Sequence, residues 1–274
     1  MQVRLFQIDA FAERVFRGNP AAVVPLDAWP PDDLLQAVAA ENNLSETAFL
    51  VRQGGDWAIR WFTPAVEVDL CGHATLASAW VVFHRLEPAR RAVTFHSRSG
   101  PLAVERGEGG EGGWLSMRLP RHPGKPCDPP PALIRALGRA PRETLVTHNY
   151  LAVLDGEADV RALVPDLGEV QRLGDRGLIV TAPADAARSG AAGAPDFVSR
   201  YFVPQAGIPE DPVTGSAHCT LVPYWAARLG KPALLAWQVS RRGGVLACQD
   251  RPEEGAVRVA GQAVPFLEGT ATLG

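Results

Sequence analysis

The sequence predicts an α+β protein made of two similar domains, and three observations lead to this class. Runs typical of strands outnumber helical ones and lack the regular β–α alternation of a doubly wound parallel sheet. Residues 121–131 hold five of the 24 prolines, a composition typical of a linker. Segments 61–80 and 201–225 share one order of features, which indicates an internal duplication.

The first domain is predicted to begin with strands over 2–9 and 21–25, separated by the turn signal Gly18-Asn19-Pro20. A short amphipathic helix is predicted after Pro31, because two aspartates follow the proline and apolar residues then recur at helical spacing. The next two β-rich runs flank Gly54-Gly55, which predicts a hairpin.

Residues 72–86 are predicted to form a helix that is apolar on nearly every face, as buried helices are. Strands are predicted over 92–119, with the glycine-rich residues 106–113 as an exposed hairpin tip. The second half repeats this plan, with helices near 130–138, near 157–173 and after Gly215, and strands near 144–154, 177–182, 197–203 and 234–273.

Each copy of the duplicated segment begins with an aromatic residue that is followed by Phe, one variable residue and a proline. A loop with carboxylates comes next, and a glycine then leads into an apolar helix. Phe202 follows Phe62 by 140 positions, and Gly215 follows Gly72 by 143. A helix N-terminus presents unpaired N–H groups and partial positive charge, so two such starts predict a pocket for a carboxylate. For either motif alone the better explanation is that a residue such as Asp211 or Thr214 caps a buried helix, and the duplication shifts the balance toward the pocket.

Composition excludes several classes of function. Lys and Arg number 27 against 30 Asp and Glu, a net charge of −3, and scattered basic residues argue against nucleic-acid and membrane-surface partners. Four cysteines without CxxC spacing argue against a disulfide scaffold or a metal site and favour a reducing, cytoplasmic location. We expect no membrane segment, metal or cofactor, because neither a long apolar run nor a known phosphate, dinucleotide or zinc motif occurs.

Two residues of the first half are candidates for chemistry. Glu46 lies in a polar segment between a helix and a strand, where Leu44 and Phe49 can desolvate its carboxylate for acid–base work; a solvent-exposed loop glutamate is the alternative. His73 lies at a helix start next to Gly72, which favours a neutral imidazole that can hydrogen-bond a substrate. A structural histidine is the alternative for His73.

In the second half, Asp211 precedes Pro212 and lies just ahead of the Gly215-Ser216 N–H groups, where it can orient a substrate amine. Thr214 and Ser216 add hydroxyl groups at the same helix start. Cys71 also precedes a helix start, a position that can lower a thiol pKa, but its counterpart is Thr214, so no matched pair of thiols exists.

Four stretches, 9–24, 42–50, 60–79 and 201–218, resemble the PhzF-like phenazine-biosynthesis family, which is similar to the diaminopimelate epimerase fold superfamily. They occur in the family's order and span nearly the whole chain. The resemblance implies two pseudo-symmetric domains, each a curved, mostly antiparallel sheet around one central apolar helix, with the active site in the cleft between them. It also implies a homodimer.

The resemblance further implies that the C-terminal strand, residues 263–274, returns to the first domain. The predicted domains are therefore residues 1–120 together with this strand, and residues 121–262. The family's catalytic glutamate falls on Glu46, its histidine on His73, its aspartate on Asp211 and its helix-start serine on Ser216.

The sequence thus predicts a cofactor-independent isomerase of a small carboxylated metabolite, and that metabolite is expected to carry an amine. Glu46 is the predicted acid–base, with His73 and Asp211 polarising the substrate, and Gly72, Thr214, Gly215 and Ser216 are the predicted binding residues. Two alternatives stay open at this point: a dehydratase or racemase that uses Cys71, and a non-catalytic metabolite-binding protein. Phenazine synthesis does not follow from membership of the fold.

Overall fold

The chain folds as two units in the computed structural model, which describes residues 1–107, 113–185 and 193–273. Unit 1 comprises Met1–Leu119 and Val259–Gly274, and unit 2 comprises Pro120–Arg258. The boundaries predicted from the sequence, at residues 120 and 262, stay a prediction. Among the described residues, no helix is both long and apolar enough to cross a membrane.

Unit 1 contains a sheet in which neighbouring strands are mostly antiparallel. Its strands are β1 (Gln2–Ala10), β2 (Asn19–Leu26), β3 (Glu46–Gln53), β4 (Asp56–Phe62), β5 (Glu67–Val68), β6 (Ala92–Ser97), β7 (Gly100–Arg106), β8 (Leu115–Pro120) and β18 (Ala263–Thr272). They pair in the order β18-β1-β2-β3-β4-β6-β7-β8, with β5 also on β4. Only β2–β3 and β4–β6 are parallel among these pairs. The strand β18 pairs antiparallel with β1, from Gln2 opposite Thr272 to Ala10 opposite Ala263.

Unit 2 is built on the same plan. Its strands are β9 (Lys125–Pro126), β10 (Glu143–Val146), β11 (Tyr150–Val153), β12 (Leu178–Pro183), β13 (Phe197–Val203), β14 (Ile208–Asp211), β15 (Ala233–Gln238) and β16 (Gly244–Arg251), while β17 (Ala256–Gly261) spans the boundary. The order is β9-β10-β11-β12-β13-β15-β16, with β14 also on β13. The parallel pairs of this set are β11–β12 and β13–β15.

The two sheets match strand for strand, since β1 to β7 and β10 to β16 show the same sequence of antiparallel and parallel pairs. The connections match as well. The helix α1 (Asp32–Asn42) joins the first parallel pair of unit 1, as α4 (Glu157–Ala162) and α5 (Leu167–Gln171) do in unit 2. The predicted α+β class with two pseudo-symmetric domains is therefore confirmed.

The central helix of unit 1, α2 (Gly72–Val81), is buried at every residue and packs on β1, β2 and β3. Its near-continuous apolar sequence accounts for this burial. The buried hydroxyls of Thr75 and Ser78 donate to carbonyl groups one turn back, at 2.6 and 2.7 Å, so neither is left unpaired. A π-helical segment, Val82–Leu86, continues the helix and completes the predicted range of 72–86.

The central helix of unit 2, α6 (His218–Leu229), packs on β15 and β16 and contains Pro223. A proline inside a helix lacks the N–H that would reach the carbonyl four residues earlier, here that of Cys219. The backbone N–H of His122 donates to the Cys219 carbonyl instead, at 2.9 Å. The proline is therefore accommodated without leaving a buried acceptor unpaired.

Two details differ from the sequence-based expectation. The helix predicted near 157–173 is two short helices, because Pro165 interrupts the pattern. The predicted linker 121–131 is partly strand: Lys125 and Pro126 pair with β10, and α3 (Pro131–Leu137) begins at its end. Of the predicted hairpin tip, residues 108–112 lie outside the described residues.

Candidate functional site

Glu46 is the first residue of β3 and is buried, with 9% of its surface exposed. It pairs with Ala21 in the parallel ladder between β2 and β3, so the backbone at this position is fixed on one side by a central strand. The expectation of a desolvated carboxylate is consistent with this burial, and a solvent-exposed loop glutamate is not.

His73 is the second residue of α2 and lies next to Glu46. Its Nε2 is 3.1 Å from Glu46 Oε2, and its ring is 3% exposed. The other ring nitrogen, Nδ1, is 3.0 Å from Asn19 Nδ2 and 3.5 Å from Cys71 Sγ. The structure therefore brings two of the predicted residues into direct contact and adds two neighbours.

Burial and the negative charge of Glu46 act in the same direction on the pKa of the Cys71 thiol and in opposite directions on the pKa of the His73 ring. Burial raises the pKa of the Cys71 thiol to about 11, so Cys71 keeps its proton near neutral pH. Burial lowers the pKa of His73, while negative charge on Cys71 and Glu46 raises it, and the net direction is upward. Because the Cys71 contribution requires a thiolate, the raising effect near neutral pH comes from Glu46 alone.

Glu46, Cys71 and His73 are also the three described residues whose donor atoms lie close enough to suggest a metal ion, within 4.8 Å of one another. Glu46 and Cys71, however, approach opposite nitrogens of the His73 ring. A metal ion coordinates only one nitrogen of an imidazole. The observed arrangement therefore fits two separate contacts on opposite sides of the His73 ring better than three ligands of one metal ion.

In unit 2, Asp211 ends β14 and is buried together with Thr214. The Thr214 hydroxyl donates to Asp211 Oδ2. The side chain of Gln238 holds this turn at three points: its Nε2 donates to Asp211 O at 2.8 Å and to Thr214 Oγ1 at 3.1 Å, and its Oε1 accepts from Thr214 N at 2.8 Å. Gln238 is 1% exposed, so this amide is sealed from water.

The predicted helix start at Gly215-Ser216 is a turn that precedes α6. The carbonyls of Gly215 and Ser216 accept from His218 N and Cys219 N at 3.0 and 3.1 Å, and regular α-helix begins at His218. His218 is fully buried; its Nδ1–H donates to Thr214 O at 2.8 Å, and burial lowers its pKa to about 4. His218 is therefore a neutral side chain that fixes the same turn.

The structure thus groups the predicted residues in two sets: Glu46, Gly72 and His73 in unit 1, and Asp211, Thr214, Gly215 and Ser216 in unit 2. Sequence reasoning missed Asn19, Gln238 and His218. The sequence around Asn19 predicts a turn between two strands, and this turn signal does not indicate a contact with His73.

The comparisons with solved structures show the fold. A PhzF-family protein of Enterococcus faecalis is 43% identical with a TM-score of 0.91, and all of both chains is covered. A hydroxyproline epimerase of Agrobacterium vitis, at 10% identity and a TM-score of 0.61, covers 99% of this chain and 93% of its own. The predicted epimerase-like fold is therefore confirmed.

Sequence comparison gives the family. A Pseudomonas aeruginosa protein named as an uncharacterized isomerase is 50% identical over 273 residues, covering all of both chains, so the predicted reaction class, an isomerase, is confirmed. The family model described as "Phenazine biosynthesis-like protein" matches residues 8–269. The chain therefore belongs to the phenazine biosynthesis-like, or PhzC-PhzF, family.

Proposed function

We propose that the chain isomerises a small carboxylated, amino-bearing metabolite by carrying one proton on Glu46, without a cofactor. The buried Glu46 carboxylate, 3.1 Å from His73 Nε2 at the start of α2, is the observation that carries the proposal. In the described part of the chain, no side chain caps the first turn of α2. Its N–H groups are therefore suited to an anion.

In the proposed reaction, the Glu46 carboxylate takes a proton from a substrate carbon, and the C–H electron pair enters the conjugated system of the substrate. The N–H groups of Gly72 and His73 stabilise the negative charge that develops on the substrate carboxylate. The Glu46 carboxyl group, whose O–H exchanges with solvent, then protonates a different carbon. The product is an isomer, and nothing is oxidised or reduced.

The residues of unit 2 supply binding in this proposal. Asp211 holds the substrate amine, and Thr214 supports Asp211 through its hydroxyl hydrogen bond. Gly215 and Ser216 contribute N–H groups for the substrate carboxylate. The tight hydrogen bonding of this turn by Gln238 and His218 supports a binding role, because preorganised donors need no rearrangement when a ligand arrives.

A dehydratase or racemase that uses Cys71 is the second candidate, and the 3.5 Å approach of Cys71 Sγ to His73 is what favours it. A thiol with a pKa of about 11 is nearly fully protonated near neutral pH and is a poor base. Glu46 is therefore the better candidate for the proton carrier.

The test is proton exchange with solvent. The purified protein is incubated in D₂O with a panel of small amino carboxylates, including both enantiomers of chiral members, and products are analysed by NMR and mass spectrometry. We expect deuterium at one carbon together with an isomeric product, and equal turnover in Cys71→Ala. Loss of turnover in Cys71→Ala would support the thiol mechanism, and saturable binding without exchange would support a binding protein.

We propose further that the protein acts as a homodimer, in the cytoplasm and in a biosynthetic process, as the family resemblance and the cysteine usage predict. The chain has a mass of 29.3 kDa, so light scattering of the eluted protein is expected to give about twice that value. A mass that stays at one chain over a wide concentration range would contradict the dimer. Fractionation of the source cells tests the location.

A further inference from the structure

Two hydrogen-bond donors face the same nitrogen of His73. Asn19 Nδ2 lies 3.0 Å from Nδ1, and Cys71 Sγ lies 3.5 Å from it. A neutral imidazole has one donor and one acceptor nitrogen, and the partner of one nitrogen decides which of them carries the proton. The surroundings of Nδ1 therefore decide what Nε2 presents to Glu46.

Both neighbours of Nδ1 are donors under ordinary conditions. An amide nitrogen donates and does not accept, and the buried Cys71 thiol retains its proton near neutral pH. Nδ1 is then the acceptor, and the ring proton lies on Nε2, which faces Glu46 Oε2 at 3.1 Å. The position of His73 in the first turn of α2 disfavours the imidazolium ion and opposes the upward effect of the Glu46 charge on the His73 pKa.

Asn19 is held in place by the fold. It is the first residue of β2, pairs with Ala10 of β1 and is fully buried. The preceding residue, Gly18, has φ +64°, and a Cβ there would lie 2.1 Å from the carbonyl oxygen of Ala10. Only glycine permits this close approach. Gly18 therefore allows the backbone to place Asn19 next to His73.

We propose that Asn19 is a positioning residue that holds His73 as the neutral tautomer with its proton on Nε2. In this tautomer Nε2–H faces Glu46 Oε2 at 3.1 Å and stabilises the ionised carboxylate, so Glu46 begins the reaction as the base. The statement about Glu46 rests on the proposed function. The statement about the tautomer does not, because it can be measured without a substrate.

The experiment is nitrogen-15 NMR of the histidine rings in the full chain near neutral pH. The chain has six histidines, and the spectrum of His73→Gln identifies the His73 signals. We expect one protonated nitrogen and one unprotonated nitrogen, with the unprotonated one assigned to Nδ1 by its couplings to the ring protons. Protonation of Nδ1, in the other tautomer or in the imidazolium ion, would overturn the proposal.

Two variants test whether Asn19 sets this state. Asn19→Asp replaces the donor with an acceptor, so Nδ1 is expected to become protonated; Gln36→Glu, the same amide-to-carboxylate change at a residue that bonds Thr63 O, is the matched control and is expected to leave His73 unchanged. Cys71→Ala removes the second donor and is expected to preserve the tautomer. A tautomer that changes in Cys71→Ala, or that survives in folded Asn19→Asp, would show that Asn19 is not the determinant.

The two proposals can fail separately. If no member of the substrate panel exchanges a proton while His73 shows the predicted nitrogen signals, the proposed function is wrong and the positioning role of Asn19 stands. If exchange is observed but Nδ1 of His73 carries a proton, the positioning role is wrong and the isomerase stands.

Discussion

Replacing Glu46 by Gln is expected to lower solvent-proton exchange by roughly 10²- to 10⁴-fold, the usual contribution of a positioned acid–base group. An amide of the same shape keeps the contact with His73, whose Nε2 lies 3.1 Å from Glu46 Oε2 in the native protein. It cannot carry a proton to and from carbon. The measurement is the rate of deuterium incorporation into the responsive substrate of the panel, at saturating substrate.

The matched control is Glu41→Gln, the same change on the exposed face of α1. Its exchange rate is expected to equal that of the native protein, and the thermal unfolding of both variants is expected to match it as well. Undiminished exchange in Glu46→Gln would exclude Glu46 as the proton carrier. Unfolding of Glu46→Gln would instead show that the buried carboxylate is needed for the fold, and Glu46→Asp would then test the reach of the group.

The fold was predictable where local sequence determines it. Hydrophobic composition on all sides marks α2 as buried, and the 140-residue spacing of the two Phe-x-Pro motifs indicates the duplication that the matching strand orders display. Pairing between distant segments was less accessible. Lys125-Pro126 joins β10 although its surroundings are typical of a linker, because strand addition depends on an available edge and not on local composition.

The site was predictable to the extent that its residues lie in motifs. Glu46 and His73 were each plausible from local sequence, but their contact required the sheet to bring β3 next to the start of α2. Gln238 had no local signal at all. It ends a strand 24 residues after Thr214. Only the folded chain shows that its side-chain amide forms hydrogen bonds with Asp211 O and Thr214 N.

Replacing Gln238 by Leu is expected to lower the free energy of unfolding of unit 2 by about 2–6 kcal/mol. Leucine is similar in volume, but it leaves Thr214 N–H and Asp211 O buried without the partners that Gln238 supplies at 2.8 Å each. A buried donor or acceptor that loses its partner destabilises by ~1–3 kcal/mol, and two are affected. Urea unfolding followed by a probe in unit 2, such as fluorescence of the buried Trp225, measures the change.

The control for Gln238→Leu is Gln171→Leu, on the exposed side of α5 in the same unit, which is expected to change stability by less than about 0.5 kcal/mol. Equal stability of the two variants would contradict the bridging role of Gln238.

The direction of the hydrogen bonds around Gln238 also has a functional consequence. Because Gln238 Nε2 can only donate, Thr214 Oγ1 must accept from it and send its own hydrogen to Asp211. Without Gln238 the hydroxyl is free to rotate, so in a folded Gln238→Leu protein KM is expected to rise more than kcat falls, as suits a residue that acts on substrate binding through Asp211.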